Sequence, residues 1–438
     1  MPLMSIRAFV GAAAALLMLG VACAQAAPYL VVDAATGETI LQKDATTPWY
    51  PASLTKLMTT YVALDAVRQG RLTMDTPLTM SLRAARMAPS KMGFEPGTQV
   101  TLDNALKMLM VKSPNDVAVM VAESISGSVE DFADEMNVTA RRLGLQESHF
   151  VNPNGLHDPN HYSSARDMAL VARALLTDFP EHVDLYDIAA MQLDDAIITN
   201  HNGLLGHYPG ADGMKTGFTC SSGFNIVASA THDGRKLIVV VLGSPSTRER
   251  NLEAAALFER GFGDSTRGPK LADLPASAQR EPRDMRSEVC SRRNAQLVAE
   301  GQEELQRILP QGPAPATAQR GRASGPAPAS APMVAAQLLQ AEPVKFDPVT
   351  VFVGPKPGWN GPVLAARATS TTSSEATAYT TASAPPTEAA AEAASAPLAL
   401  QGAVKPPATV VKKKAAKAAP RHHGAQAKAA SKAKSTED

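Results

Sequence analysis

The chain has 438 residues, and its 42 Lys and Arg balance 42 Asp and Glu, so the formal net charge at pH 7 is zero. That balance excludes a uniformly basic, polyanion-binding surface, while the length would allow two or three domains. Composition is uneven, however, and the chain divides by it.

Residues 1–26 read as a secretory signal: Arg7, an apolar run from Ala8 to Ala22, then Ala24-Gln25-Ala26 before a cut. The apolar run is short for a bilayer and ends in small residues, so export is expected rather than a membrane span. Residues 27–265 read as a globular domain long enough to bury a sizeable core. Within it, "YLVVDAATGETILQK" predicts a hairpin around Ala35-Thr36-Gly37. The run "SLTKLMTTYVALDAV" predicts a helix with Ser53 at its start. A helix N-terminus offers free N–H groups and positive potential to a nucleophile that must become negative. Lys56, one turn on, lies on the same face. Walled by apolar helices and near a second lysine, it should lose its charge readily and act as base.

Ser113-Pro114-Asn115 lies between two helical runs, "LDNALKMLMVK" and "DVAVMVAESI". Ser113 suits proton transfer towards a leaving amine, and the Asn115 amide suits orientation of Lys56 or substrate. Lys215-Thr216-Gly217 precedes a strand expected near Phe224, and its glycines would let an extended peptide approach a sheet edge. The runs Phe224–Ala230 and Lys236–Leu242, joined through His232-Asp233-Gly234, predict a second hairpin, and Arg248–Phe262 a helix. The fold class expected is α+β: an antiparallel sheet of about five strands with helices on both sides and an inserted helical region.

Beyond this domain, residues 266–310 read as a linker with a short helix from Asp284 to Leu309. Residues 311–438 read as a low-complexity tail rich in Ala, Pro and Ser, mostly disordered. "DPVTVFVGP" looks like a strand without a partner. Lysines crowd Lys412 to Lys434, a tail suited to anionic cell-wall polymer or a membrane surface, or simply to solvent; nucleic acid is not expected of an exported protein. After signal removal only Cys220 and Cys290 remain, an even count that predicts a disulfide pinning the helical island beside the Lys215 strand. No metal or cofactor motif is present, and His157 and His161, in a loop rich in Pro and Asn, read as surface residues.

S-x-x-K, S-x-N and K-T-G in this order resemble the serine D-Ala-D-Ala carboxypeptidases, the low-molecular-mass penicillin-binding proteins, with a β-lactamase/transpeptidase-like fold. The resemblance runs from about Pro28 to Phe262, through "SPNDVAVMVAE", "FADEMNVTARRLGLQESHFVNPNGL", "YSSARDMALVARALL" and "TNHNGLL". It implies acyl transfer on peptidoglycan stem peptides, covalent inhibition by β-lactams, and a periplasmic or cell-wall location. Ser53 would be the nucleophile, the N–H groups of Ser53 and Phe218 the oxyanion hole, and Thr216 with Arg250 the clamp on the substrate's terminal carboxylate. Three departures stand out. Pro114 replaces the usual Gly of S-x-N, His201 stands where a relative carries Arg, and a second all-β domain with a C-terminal amphipathic helix is not found. A D,D-endopeptidase would use the same apparatus. A class A β-lactamase would need a water-activating Glu between Ser113 and Lys215, and none is recognised there. A non-catalytic wall-binding protein would not need a nucleophile with its base.

Overall fold

The computed structural model describes residues 27–290, 339 and 346–367. The predicted signal, the rest of the 291–345 stretch and the Lys-rich tail lie outside those residues. In chain order the strands are β1 Tyr29–Asp33, β2 Thr39–Lys43, β3 Pro77–Thr79, β4 Gln99–Thr101, β5 Ala190–Leu193, β6 Ala196–Thr199, β7 Ala211–Thr219, β8 Gly223–His232, β9 Arg235–Ser244 and β10 Val349–Val351. The helices are α1 Thr55–Arg68, α2 Leu82–Ala85, α3 Leu102–Val111, α4 Asn115–Ser126, α5 Val129–Arg142, α6 Ala165–Asp178, α7 Thr247–Gly263 and α8 Arg286–Val289.

The main sheet is antiparallel with strand order β2-β1-β9-β8-β7, as the two hairpins and the K-T-G strand require. Asp233 and Gly234 both have positive φ, the type I′ geometry that matches the twist of the β8–β9 hairpin. Successive residues of a strand face opposite sides, so the continuous apolar run of β9 feeds two cores. Leu237, Val239 and Val241 pack with Ala254–Phe258 of α7, while Ile238, Val240 and Leu242 join the larger core built from α1, α3, α4 and α6. Helix α1 is buried from Thr55 to Ala66 on every side, so it runs through the middle of the protein, and any polar group on it is desolvated.

Several expectations need correction. The strand expected near Phe224 is β8, which starts at Gly223, and the K-T-G triad ahead of it lies within a further strand, β7, that was not foreseen. Of the helical island only α8 falls within the described residues. Residues 266–290 are not a free linker: Thr39 N–H donates to Pro269 O at 3.0 Å, Leu271 N–H to Gly37 O at 2.9 Å, and Leu271 and Leu274 are buried. The strand in "DPVTVFVGP" has a partner, since β10 pairs in parallel with β5, an isolated β-hairpin edge that composition gives no means of foreseeing. Cys220 and Cys290 are disulfide-bonded, with Cα atoms 5.6 Å apart, tying α8 to the end of β7.

Candidate active site

The turn bearing Ser53 is a one-turn 3-10 helix, Ala52–Leu54, rather than the first turn of α1 itself. Ala52 adopts φ 48°, a left-handed conformation that costs a non-glycine residue about 1–3 kcal/mol and so needs outside support. Asn225, fully buried on β8, supplies it: its amide donates to Tyr50 O at 3.0 Å and Pro51 O at 3.2 Å while its oxygen accepts from Gly243 N–H at 2.8 Å. β7 presses on the same turn. A Cβ on Gly217 would sit 2.9 Å from both Pro51 O and Ser53 N, so this glycine admits the nucleophile turn, not a substrate strand. Gly155 does the same from the other side, at φ +84°, where a Cβ would lie 1.9 Å from Ala52 O.

Lys56 is fully buried, and its Nζ lies 3.0 Å from Ser53 Oγ, 2.9 Å from Asn115 Oδ1 and 2.7 Å from Asn154 O. Burial first, then the charge of Lys215, holds its pKa well below the ordinary lysine value, against a weaker opposing pull from Asp116. The hydrogen bonds fix Nζ beside Ser53. Asn154 O can only accept, and Asn115 Oδ1 is fixed towards Lys56 because its amide nitrogen donates to Ala88 O at 3.0 Å and Pro89 O at 3.1 Å. In the neutral form those two acceptors use both N–H bonds of the amine and leave its lone pair for the Ser53 hydroxyl; in the charged form the third N–H donates to Ser53 Oγ.

Ser113 is buried at φ 63°, and its hydroxyl has no hydrogen-bond partner. Lys215, fully buried on β7, donates to Thr216 O at 2.9 Å; burial, then Arg250, lowers its pKa to about 7. Arg250 stands in the first turn of α7, donating to Asn251 Oδ1 at 2.9 Å and His201 O at 3.2 Å, and burial lowers its pKa to about 9. Among the described residues no carboxylate pairs with it. His201, lowered to about 4 by burial and then by Lys215, is neutral at physiological pH and adds no charge to the site.

Ser53, Ser113, Asn115, His201, Thr216, Gly217, Phe218 and Arg250 all line one cleft, with Phe218 stacked on Phe224 at 4.2 Å between ring centroids. The predicted site residues therefore converge, with Lys56 and Lys215 just beneath. Sequence reasoning missed Asn154, Asn225, Thr247 and the Pro89–Ser90 rim. Asn154 acts through its backbone carbonyl, which no side-chain motif reports, although "NPNG" marks the turn. The surface reading of His161 is wrong: it is buried, Val151 N–H donates to its Nδ1 at 3.1 Å, and its Nε2–H therefore donates to Thr55 Oγ1 at 2.8 Å. Burial, then the neighbouring histidines and Lys56, lowers its pKa to about 3. His157 is half-buried, edge-on against Tyr50.

The sequence matches the family described as peptidase S11, D-alanyl-D-alanine carboxypeptidase, over residues 19–246. It is 38% identical over 241 residues to the D-alanyl-D-alanine carboxypeptidase DacA of Haemophilus influenzae, covering 54% of this chain and 61% of that protein. The chain thus spans under two thirds of the length of the curated relative it matches. Penicillin binding protein 5 from Haemophilus influenzae superposes with a TM-score of 0.52 at 38% identity, over 54% of this chain and 70% of that one. Penicillin-binding protein D2 from Listeria monocytogenes, in its ampicillin-bound form, superposes with a TM-score of 0.50 at 27% identity, over 54% and 96% of the two chains. Motif order, sheet topology and a serine held against a buried lysine agree with these matches, and the chain belongs to the D-alanyl-D-alanine carboxypeptidase family of serine peptidases.

Proposed function

We propose that this protein is a serine D-alanyl-D-alanine carboxypeptidase that removes the terminal D-Ala from peptidoglycan stem pentapeptides, acting after export in the periplasm or at the wall. The observation that carries the reading is the placement of Lys56, buried with its Nζ 3.0 Å from Ser53 Oγ and held there by Asn115 Oδ1 and Asn154 O. Ser53 Oγ attacks the carbonyl between the two D-Ala residues as its proton passes to Lys56 Nζ. The N–H groups of Ser53 and Phe218 take the developing oxyanion. Collapse breaks the C–N bond, and the departing amine collects a proton from Lys56 through Ser113, whose hydroxyl has no competing partner. Water then hydrolyses the acyl-enzyme.

Arg250, a buried cation at the cleft without a carboxylate partner, suits the free C-terminal carboxylate that distinguishes this substrate, with Thr216 beside it. Among the described residues no Asp or Glu lines the cleft, which disfavours a β-lactamase that activates its water with Glu. The ampicillin-bound form of the Listeria relative supports β-lactam binding in this cleft, where Ser53 would be the residue acylated. The Lys-rich tail, from its charge alone, would hold the enzyme to anionic wall polymer or a membrane surface.

Mass spectrometry after incubation with a fluorescent penicillin, and then with a pentapeptide ending in D-Ala-D-Ala, tests the reading. One penicillin on Ser53 and release of one alanine are expected. Labelling that survives Ser53→Ala overturns the assignment.

A further inference from the structure

Residues 346–367 close around the β3–β4 ribbon from both of its outer edges. On the β4 side Gly354 N–H donates to Gln99 O at 2.7 Å; on the β3 side Leu364 N–H donates to Pro77 O at 2.9 Å and its carbonyl accepts from Thr79 N–H at 2.8 Å. Before this grip β10 extends the β5 edge and buries Val351 in the main core, and after it Arg367 N–H donates to Gly127 O at 2.8 Å. Sheet edges left open invite another strand, and here the chain closes its own.

What the segment holds is the helical hairpin α3–α4, whose apex carries Ser113 and Asn115. It grips that hairpin at the opposite end. β4 runs directly into α3, the buried Asn104 in the first turn of α3 donates to Phe352 O at 3.1 Å, and Gly127 is the C-cap of α4. Helices of these lengths carry the contact about 15–18 Å to the apex. There Asn115 is tied to residues 88–90, but the Ser113 hydroxyl has no hydrogen bond of its own and its N–H is held only within the hairpin, by Met108 O at 3.1 Å, so its reach into the cleft follows how the two helices are seated.

We propose that residues 346–367 are a positioning clasp for the Ser113–Asn115 turn, so that acylation at Ser53 depends on a C-terminal segment that never enters the cleft. The inference rests on the carboxypeptidase reading. A site whose supporting contacts loosen by a fraction of an ångström keeps its residues and loses rate.

The test uses the full chain carrying Val351→Asp and Leu364→Asp, which would release the clasp. Acylation by a fluorescent penicillin should slow roughly tenfold, and amides around Ser113 should exchange faster. A synthetic peptide of residues 346–367 added in trans should restore both, and the same peptide carrying Val351→Asp should restore neither. Should the double variant fail to fold, Leu364→Ala and Asn104→Ala are read in the same way. Wild-type acylation in a variant whose clasp has become protease-sensitive overturns the proposal, as does slowed acylation that the wild-type peptide leaves unchanged. Failure of the unmodified protein to acylate at all would instead strike the carboxypeptidase reading.

Discussion

Two clusters of buried cations sit in this protein and are treated in opposite ways. Arg166, fully buried in the first turn of α6, is matched by carboxylates: it pairs with Glu147 and with Asp167 at 2.9 Å, and spends a further N–H on Gln146 Oε1 at 3.2 Å. The carboxylates are themselves held, Asp167 by Glu147 N–H at 2.7 Å and Ser148 Oγ at 2.8 Å. Lys56, Lys215 and Arg250 are buried as completely, yet among the described residues none is paired with a carboxylate, and all three are shifted towards their neutral forms. A paired buried charge locks elements together; an unpaired one stores reactivity, because its proton is cheap to remove and its positive charge lacks a partner until substrate arrives.

Replacing one member of each cluster by methionine should separate the two roles. Lys56→Met leaves two acceptors unpaired but removes the cost of neutralising a lysine, so its stability should stay within about 2 kcal/mol of wild type. Its acylation should fall by roughly 10⁴-fold or more, as expected when a general base is lost. Arg166→Met should do the reverse, losing about 3–5 kcal/mol because Glu147 and Asp167 are stranded in the interior, with acylation per folded molecule nearly unchanged. Urea unfolding and penicillin acylation on the same samples check both. Equal loss of stability in the two variants would break the distinction.

The disulfide adds a covalent version of the same contrast. Cys220 follows the cleft residues Phe218 and Thr219, and Met285 N–H donates to Ser221 O at 3.0 Å just before α8. With the cysteines separated by 70 positions in sequence, the loop-entropy relation gives about 4 kcal/mol for closing the loop. Cys290→Ser should therefore lower stability by about 2–4 kcal/mol while changing acylation little, measured by thermal unfolding under non-reducing conditions. Two alkylatable thiols in protein expressed to the periplasm would remove the bond from consideration.

Legibility followed the same division. Ser53, Lys56, Ser113 and Lys215 were readable because side-chain chemistry at fixed spacing leaves a signature, and the β8–β9 hairpin because Asp233-Gly234 has few other uses. Asn154 and Gly155 were not, since one contributes a carbonyl and the other an absent side chain. Gly217 was found and misread: its neighbour is the Ser53 turn, a contact set by how β7 meets the 3-10 turn Ala52–Leu54 and invisible to local pattern. The partner of β10 lies more than 150 residues away on β5, and β5 itself is too short to register as a strand. His161 was judged by its Pro- and Asn-rich surroundings, which say nothing of the Thr55 hydroxyl waiting beneath.

Arg250 should distinguish substrates rather than reactions. If its unpaired guanidinium receives the terminal carboxylate, Arg250→Ala should cost roughly 30- to 100-fold in kcat/KM for a free-acid peptide, the scale of a charge-assisted hydrogen bond. The C-terminal amide, which already lacks that charge, should lose only a few-fold. Equal losses on both would make Arg250 a packing residue and move it to the Arg166 side of the comparison.

The smallest effect is the most specific to an unpaired cluster. Lys215 has a folded-state pKa of about 7 against an ordinary 10.5, so between those values the unfolded chain binds a proton that the folded one does not. Stability must therefore rise with pH through that window, and below about pH 7, where both states hold the proton, Lys215 contributes no slope. In Lys215→Gln this gain should vanish, leaving wild type to climb relative to the variant by roughly 1 kcal/mol per pH unit between pH 8 and 9. The same substitution removes the second-largest influence holding the Lys56 pKa down, after burial, so the acid limb of the acylation profile should move to higher pH. Paired urea titrations and pH–rate profiles read the two effects separately. Parallel stability curves would show that Lys215 keeps an ordinary lysine pKa, and an unmoved acid limb would show that Lys56 is neutralised by burial alone and that the two lysines do not act together.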